Sequence, residues 1–471
     1  MKTGEFNLKR MVRGWTAVAA SALLISCASA PQEPQSNKFQ LTLLHINDHH
    51  STLAPKQQTL VWGDQEWQVE AGGFPRVAAQ LKALRKANNN VLTLHAGDAL
   101  TGSLYFTLFG SEADARMMNN VCFDAFTIGN HEFDNGDAGL AEFLQQLGTE
   151  RCPTAKLGAN IKPKVGDSPL TPNRDWEMFK PYTVVERNGE EIAIIGLDIA
   201  SKTKKSSQPD ETTEFLDELE TARKYVAEVQ QQGIEKIVLL THIQYERDKE
   251  LVQQLPGVDI VIGGDSHTLL GDFSGFGMES DGPYPTELTN ADGDKVCLAH
   301  AYQYSLVVGE MQAFFDGDKI EECGGRPHYL LSNDIQVSDG IVTTYEPIKT
   351  ALEESGVFSF VEPDAELQNM LEDYQSKVED FSAEVLAQVP QQICSQEIDL
   401  PRRDGCADVM SSGAHRLVAE AFLHSVPEAD FAIQNGGGVR SDISQGDFTV
   451  GDAFNVLPFA NTLVKLELSG S

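Results

Sequence analysis

Seven oxygen and imidazole donors stand out in the sequence: Asp48, His50, Asp98, Asn130, His242, Asp265 and His267. Each falls just past the end of a short apolar run. Such a set suits a borderline or hard divalent ion (zinc, manganese or magnesium) rather than a thiolate site. Asp98 stands alone after its run and is the natural bridge between two ions. A bridged pair clamps a phosphoryl group and makes water nucleophilic near neutral pH. Taken singly, each residue has a plainer role. Asp and Asn after strands serve as turn or helix-cap residues, and a lone His is more often structural. Seven in one pattern outweigh those alternatives. His131 follows Asn130, and adjacent side chains point apart. It is therefore expected over the substrate phosphate, as general acid or charge stabiliser for the leaving group. Asp134 is expected to hydrogen-bond that imidazole and fix its orientation, with a turn or cap role as the alternative.

Residues so far apart need a scaffold, and the apolar runs supply one. Phe39 to Ile46, Val91 to Leu94, Phe123 to Ile128, Glu191 to Leu197, Ile237 to Leu240 and Val258 to Ile262 read as strands, and Gly73 to Ala87 has helical spacing. Five of these six strands deliver metal-capable residues at their C-terminal ends, where sites form in α/β sheets. Only Glu191 to Leu197 delivers none. The alternation of strand, loop and helix predicts an α/β chain, and 471 residues are too many for one core, so more than one domain is expected. Residues 1–27 read as a signal, 28–38 as a tether and 39–335 as the domain of the donors. Residues 336–388 read as an interdomain segment with a linker helix near Pro363 to Leu386. Residues 389–471 read as a second, smaller α/β domain. Its expected elements are a helix from Ala414 to Phe422, a strand from Phe431 to Ile433 and the loop Gln434 to Arg440. Glycines 436–438 in that loop let backbone approach a ligand or form a plain loop.

The N-terminus reads as an address. Lys9, Arg10 and Arg13 precede an apolar run, Trp15 to Ile25, too short to span a bilayer. The run ends in Leu24-Ile25-Ser26-Cys27, which resembles a bacterial lipobox. Cys27 is then the lipidated first residue of an exported protein, periplasmic or anchored to the outer membrane. A plain signal peptide cut after Ala30 is the alternative. Six cysteines remain, and export favours disulfides. Nearest-neighbour pairing predicts Cys122 with Cys152, Cys297 with Cys323 and Cys394 with Cys406; buried free thiols are the alternative. The formal net charge of -34 disfavours a nucleic-acid groove.

Together, Asn47-Asp48-His49-His50, Gly97-Asp98, Gly129-Asn130-His131-Glu132-Phe133-Asp134, Thr241-His242 and Gly264-Asp265-Ser266-His267 resemble the blocks of the calcineurin-like metallophosphoesterases. With Gln434 to Arg440 and Leu457 to Asn461, the chain resembles the 5′-nucleotidase family, in its bacterial NAD nucleotidase and 5′-nucleotidase branch. The resemblance runs from Phe39 to the end, and the GNHEFD block is its most specific part. It implies a four-layer β-sandwich flanked by helices, plus a substrate-binding C-terminal domain and two divalent ions. Asp48, His50, Asp98 and His267 would hold one ion, and Asp98, Asn130, His242 and Asp265 the other. His131 and Asp134 would be the catalytic pair. Asn435 and Arg440 would grip a nucleotide, with Arg402 or Arg403 adding an anion contact. Phe459 would stack on the base; its plainer role is core packing. The implied activity is hydrolysis of nucleoside 5′-monophosphates, extending to the NAD pyrophosphate. Alternatives are a UDP-sugar hydrolase, a 2′,3′-cyclic-nucleotide phosphodiesterase or a non-catalytic surface lipoprotein. Two departures stand. Asp265 replaces a His common in relatives, and the family's C-terminal domain ordinarily continues further, so this one reads as incomplete.

Overall fold

The structure, a computed structural model, describes residues 38–337, 346–395, 413–459 and 461–469. The expected signal, Cys27 and the tether up to residue 37 lie outside the described residues, as do Arg402, Arg403 and Cys406. Nine strands carry the architecture. They are β1 (Lys38–Ile46), β2 (Val91–His95), β3 (Ala125–Thr127), β4 (Glu190–Asp198), β5 (Lys236–His242), β6 (Ile260–Ile262), β7 (Lys295–Ala299), β8 (Val307–Asp316) and β9 (Lys319–Val337).

One mixed sheet runs Lys56–Trp62, Gln65–Ala71, β9, β8, β1, β2, β3, Ala155–Leu157, with Phe358–Phe360 also paired to β9. A second runs Thr286–Thr289, β7, β6, β5, β4, Tyr182–Arg187. In each, the central strands that feed the loops of interest are parallel: β1 with β2, β2 with β3, β4 with β5 and β5 with β6.

The strand period of two explains the layers. On β1, Leu41 and Leu43 join a core that also holds Ile192, Ile194, Val238 and Leu240 of the second sheet. Leu44 and Ile46 point the other way, onto a core shared with Phe74, Val77 and Leu81 of helix α1 (Phe74–Ala87). On β4 and β5 the alternate residues Ala193, Ile195, Ile237 and Leu239 meet helix α2 (Glu218–Gln231) through Ala222, Tyr225 and Val226. The result is helix, sheet, sheet, helix, the four-layer α/β sandwich that the resemblance implied. Central strands buried on both faces leave only their ends for polar chemistry.

Helix α3 (Ala365–Ser382) falls within the expected linker. Asp364 caps it by accepting from the Glu366 and Leu367 N–H groups. Its Leu367, Leu371 and Tyr374 are buried in the core beneath the first sheet. Its last turn meets the C-terminal part, where Phe381 and Phe454 rings lie 6.0 Å apart. That part has a small core of its own: Ala414, Val418, Val439, Ile443 and Val456. The expected helix forms as Gly413–Ser425. The expected strand at Phe431 to Ile433 does not form. Those residues pair with no described strand, and Phe431 and Ile433 are exposed. Two of the expected disulfides join Cys122 to Cys152 and Cys297 to Cys323. Among the described residues, no helix is long and apolar enough to cross a membrane.

Candidate metal centre

The strand tips converge. Asp48 and His50 follow β1, Asp98 follows β2, Asn130 follows β3, His242 ends β5, and Asp265 and His267 follow β6. All are buried except His267, which is half-buried. Asp48, His50, Asp98, Asp265 and His267 have φ between 48° and 75°. Left-handed backbone at five non-glycine residues stores strain, which collects where function requires a fixed geometry.

Each aspartate has one oxygen tied down and one turned inward. Asp48 Oδ2 accepts from Asn47 Nδ2 at 2.7 Å and from the Asp265 N–H at 3.0 Å. Its Oδ1 has no hydrogen-bond donor, and lies 3.4 Å from His267 Nε2, 3.8 Å from His50 Nε2 and 3.9 Å from His242 Nε2. Asp98 Oδ1 accepts from the His131 N–H at 2.8 Å. Its Oδ2 faces His242 Nε2 at 2.9 Å and His50 Nε2 at 3.8 Å. Asp265 Oδ2 is likewise buried without a donor, while Oδ1 contacts Lys202 Nζ. The Asn130 carboxamide meets Asp265 Oδ1 at 3.0 Å.

His242 shows how charge is balanced in this cluster. Its Nδ1–H donates to the Ala96 carbonyl at 2.7 Å, which presents Nε2 to Asp98. Burial disfavours a charged imidazole, yet Asp98 and Asp48 push His242 well above its ordinary pKa. Burial also disfavours charged Asp48 and Asp98, yet His242 and the imidazoles around it hold both well below the usual carboxylate range. The pocket demands positive charge, from protons or from cations. Orphaned acceptors and an imidazole oriented through its far nitrogen fit divalent ions. Asp48, Asp98 and His242 offer atoms within 4.8 Å of one another, as do Asp48, His50 and His267.

His131 lies at the edge of this cluster and is half-buried. Its Nδ1 meets Asp134 Oδ2 at 2.7 Å. Burial opposes its protonation, but Asp98 and Asp134 outweigh burial and push it up to about 9. The Phe459 ring stacks on it, with centroids 5.2 Å apart and planes 20° apart. Arg440 reaches Phe459, with its guanidinium carbon 5.6 Å from the ring centre, and contacts the Tyr304 hydroxyl. Asn435, Arg440 and Phe459 thus line one cavity with His50, Asp98, His131 and Asp265. At about 610 Å³ it is of the size that holds small ligands.

The structure adds residues that the sequence did not single out. Lys202 lies in the helix Ala200–Ser206 directly after β4, the strand with no metal-capable residue expected at its tip. The parallel placement of β4 beside β5, which brings Lys202 to the cluster, is visible only in the structure. Glu132 is buried and accepts from the N–H groups of Asp98, Ala99, Leu100 and Gly129 at 2.7–3.1 Å. It ties the loop after β2 to the loop after β3. Tyr304 comes from the β7–β8 connection, and its N–H donates to the Asp48 carbonyl at 2.8 Å.

Comparison with known proteins agrees with this geometry. The calcineurin-like phosphoesterase family model matches residues 41–269, and the 5′-nucleotidase C-terminal domain model matches residues 395–471. A probable 5′-nucleotidase of Treponema pallidum (strain Nichols) is 36% identical over 471 residues, covering 97% of this chain and 77% of that protein. The NAD 5′-nucleotidase of Haemophilus influenzae is 37% identical over 470 residues, covering 97% and 76%. The solved structure of Haemophilus influenzae NAD nucleotidase superposes with a TM-score of 0.72 at 36% identity, over 90% of this chain and 75% of that one. A 5′-nucleotidase precursor from Thermus thermophilus gives 0.73 at 32% identity, over 90% and 75%. With phosphoesterase blocks at the strand tips and relatives matched over nearly the whole chain, the protein belongs to the 5′-nucleotidase family of calcineurin-like metallophosphoesterases.

Proposed function

We propose that this chain hydrolyses phosphate esters of nucleotides at a centre of two divalent cations, releasing phosphate from nucleoside 5′-monophosphates. One observation carries the proposal: Asp48 Oδ1, Asp98 Oδ2 and His242 Nε2 converge in a buried pocket beside the His131–Asp134 pair. Asp48, His50, Asp98 and His267 are assigned to one cation, and Asp98, Asn130, His242 and Asp265 to the other. Zinc, manganese or magnesium suits these donors. When bound, such a pair neutralises phosphoryl charge and lowers the pKa of water to give a nucleophile.

The chain's own residues do the rest. His131 holds a proton at Nε2 for the leaving oxygen, and Asp134 fixes the ring through Nδ1. Asn435 and Arg440 orient the nucleotide, and Phe459 offers a ring to the base; Arg402 and Arg403 are assigned an anion contact. Domains at 39–335 and 389–471, joined by 336–388, are the division that goes with these roles. Export with a lipid at Cys27 completes the proposal, and the two disulfides are in keeping with an oxidising compartment.

A second substrate, a dinucleotide pyrophosphate, is favoured by the Haemophilus relatives, whose names specify NAD. Lys202 and Lys205 beside His131 in the cavity supply charge for a second phosphate. Product analysis separates these readings. The chain, loaded with manganese or zinc, is incubated with AMP, NAD, UDP-glucose and cyclic AMP. Phosphate and adenosine from AMP are the expected products, with AMP-type products from NAD under the second reading. Failure to cleave any of the four would overturn the proposal.

A further inference from the structure

Behind the centre lies a hydrogen-bonded chain that the chemistry above leaves unused. His95 ends β2, His49 sits between Asp48 and His50, and Asp114 lies in the helix Glu112–Val121. All three are fully buried. The Gly97 N–H donates to His95 Nδ1 at 3.2 Å. His95 Nε2 meets His49 Nδ1 at 2.9 Å, and His49 Nε2 meets Asp114 Oδ1 at 3.1 Å. Asp114 Oδ2 accepts from the Ser51 hydroxyl at 2.8 Å.

Imidazole tautomers are ordinarily ambiguous, but a backbone N–H has one direction. Because Gly97 donates, His95 Nδ1 must accept. The ring's proton is then on Nε2 and donates to His49 Nδ1. His49 therefore carries its own proton on Nε2 and donates it to Asp114. The sequence of donors is forced from end to end and terminates on a carboxylate that can only accept. Its two ends grip Gly97, the neighbour of Asp98, and Ser51, the neighbour of His50.

We infer that Asp114, His49 and His95 form a positioning relay that fixes His49 and His95 in single tautomers and so holds the Gly97–Asp98 and Asp48–Ser51 backbones at the spacing the cations need. None of the three faces the cavity, so none is a catalytic residue. The consequence for cations rests on the assignment of Asp48, His50 and Asp98 as ligands; the tautomer order does not.

Asp114→Leu removes the terminal acceptor. His49 Nε2–H is then buried without a partner, a costly state, and relief by shifting the proton to Nδ1 sets it against His95 Nε2–H. A shift there sets an N–H against the Gly97 N–H and pushes the Asp98 loop away. Asp114→Asn keeps the order, because its amide oxygen faces His49 and its nitrogen can donate to the Ser51 oxygen.

Nitrogen-15 spectra of histidine-labelled, metal-free protein report which ring nitrogen carries each proton, and manganese titration reports cation affinity. Protons on Nε2 of both His49 and His95 are expected in the unaltered chain and in Asp114→Asn. Loss of that pattern is expected in Asp114→Leu. Manganese affinity is expected to fall about tenfold in Asp114→Leu and stay within about twofold in Asp114→Asn, as for other groups that orient ligands from behind. If Asp114→Leu does not fold, the pair His95→Leu and His95→Asn repeats the test at the other end, since Asn retains an acceptor for Gly97. A proton on His95 Nδ1 in the unaltered chain, or equal affinity across each pair, overturns the relay. If the unaltered chain shows the expected tautomers but binds no manganese, the two-cation assignment fails and the tautomer order stands.

Discussion

At the residue scale, the centre is a set of atoms denied ordinary partners. Asp48 Oδ1 and Asp265 Oδ2 are buried with no hydrogen-bond donor, a costly arrangement unless a ligand compensates. His131 differs, because Asp134 satisfies its inner nitrogen and leaves the other for substrate. His131→Ala is therefore expected to lower kcat on a nucleotide about 10²-fold or more, with bound metal nearly unchanged. Equal turnover in that variant would remove His131 from the mechanism. The donors were legible in the sequence because polar residues immediately following apolar runs are visible without a structure. Lys202 was not legible, since a lysine four residues past a strand on a polar helix looks like any solvated lysine. The stacking of Phe459 on His131 was also hidden, because it depends on how the C-terminal part meets the first.

At the element scale, strand ends and the glycines beside them set the spacing. A Cβ at Gly129 would lie 2.5 Å from Asp98 Oδ1 and 2.7 Å from the Asp98 nitrogen. Gly129→Ala must displace the Asp98 loop or the Asn130 loop. Its expected effect is about a tenfold loss of divalent-ion affinity, about 1.4 kcal/mol, which lies at the lower end of the ~1–3 kcal/mol that overpacking costs. Gly275→Ala, where a Cβ meets nothing within 4 Å, is expected to leave affinity unchanged. Calorimetric titration of the two variants decides this, and parallel behaviour would contradict it. The central strands were legible as short continuous apolar runs, because both of their faces are buried, and helix α1 by its 3.6 period. Phe431 to Ile433 misled because its apolar residues read as strand, whereas strand identity needs a pairing neighbour.

At the scale of the whole molecule, buried carboxyls make stability depend on pH. Asp259, remote from the tips of β5 and β6, accepts from the Ile237 N–H at 2.8 Å. Burial pushes it from 3.8 up to about 8. The folded chain keeps this proton where the unfolded chain has released it. Its contribution is thus fully present below about pH 4 and is lost as pH rises through about 8. Asp259→Asn keeps the acceptor without the proton. The Tm of the unaltered chain relative to this variant should fall between pH 4 and pH 8, and a pH-independent difference would contradict the assignment. The large acidic excess works in the opposite direction from substrate binding, so cations must reverse the field locally.

That requirement gives the most direct test. The purified chain is stripped with a chelator and dialysed against manganese or zinc, and bound metal is measured by mass spectrometry alongside AMP hydrolysis. Two divalent ions per chain are expected, with activity lost on stripping and regained on reloading. A chain that takes up no divalent ion, or that hydrolyses AMP equally well when stripped, would contradict the two-cation centre.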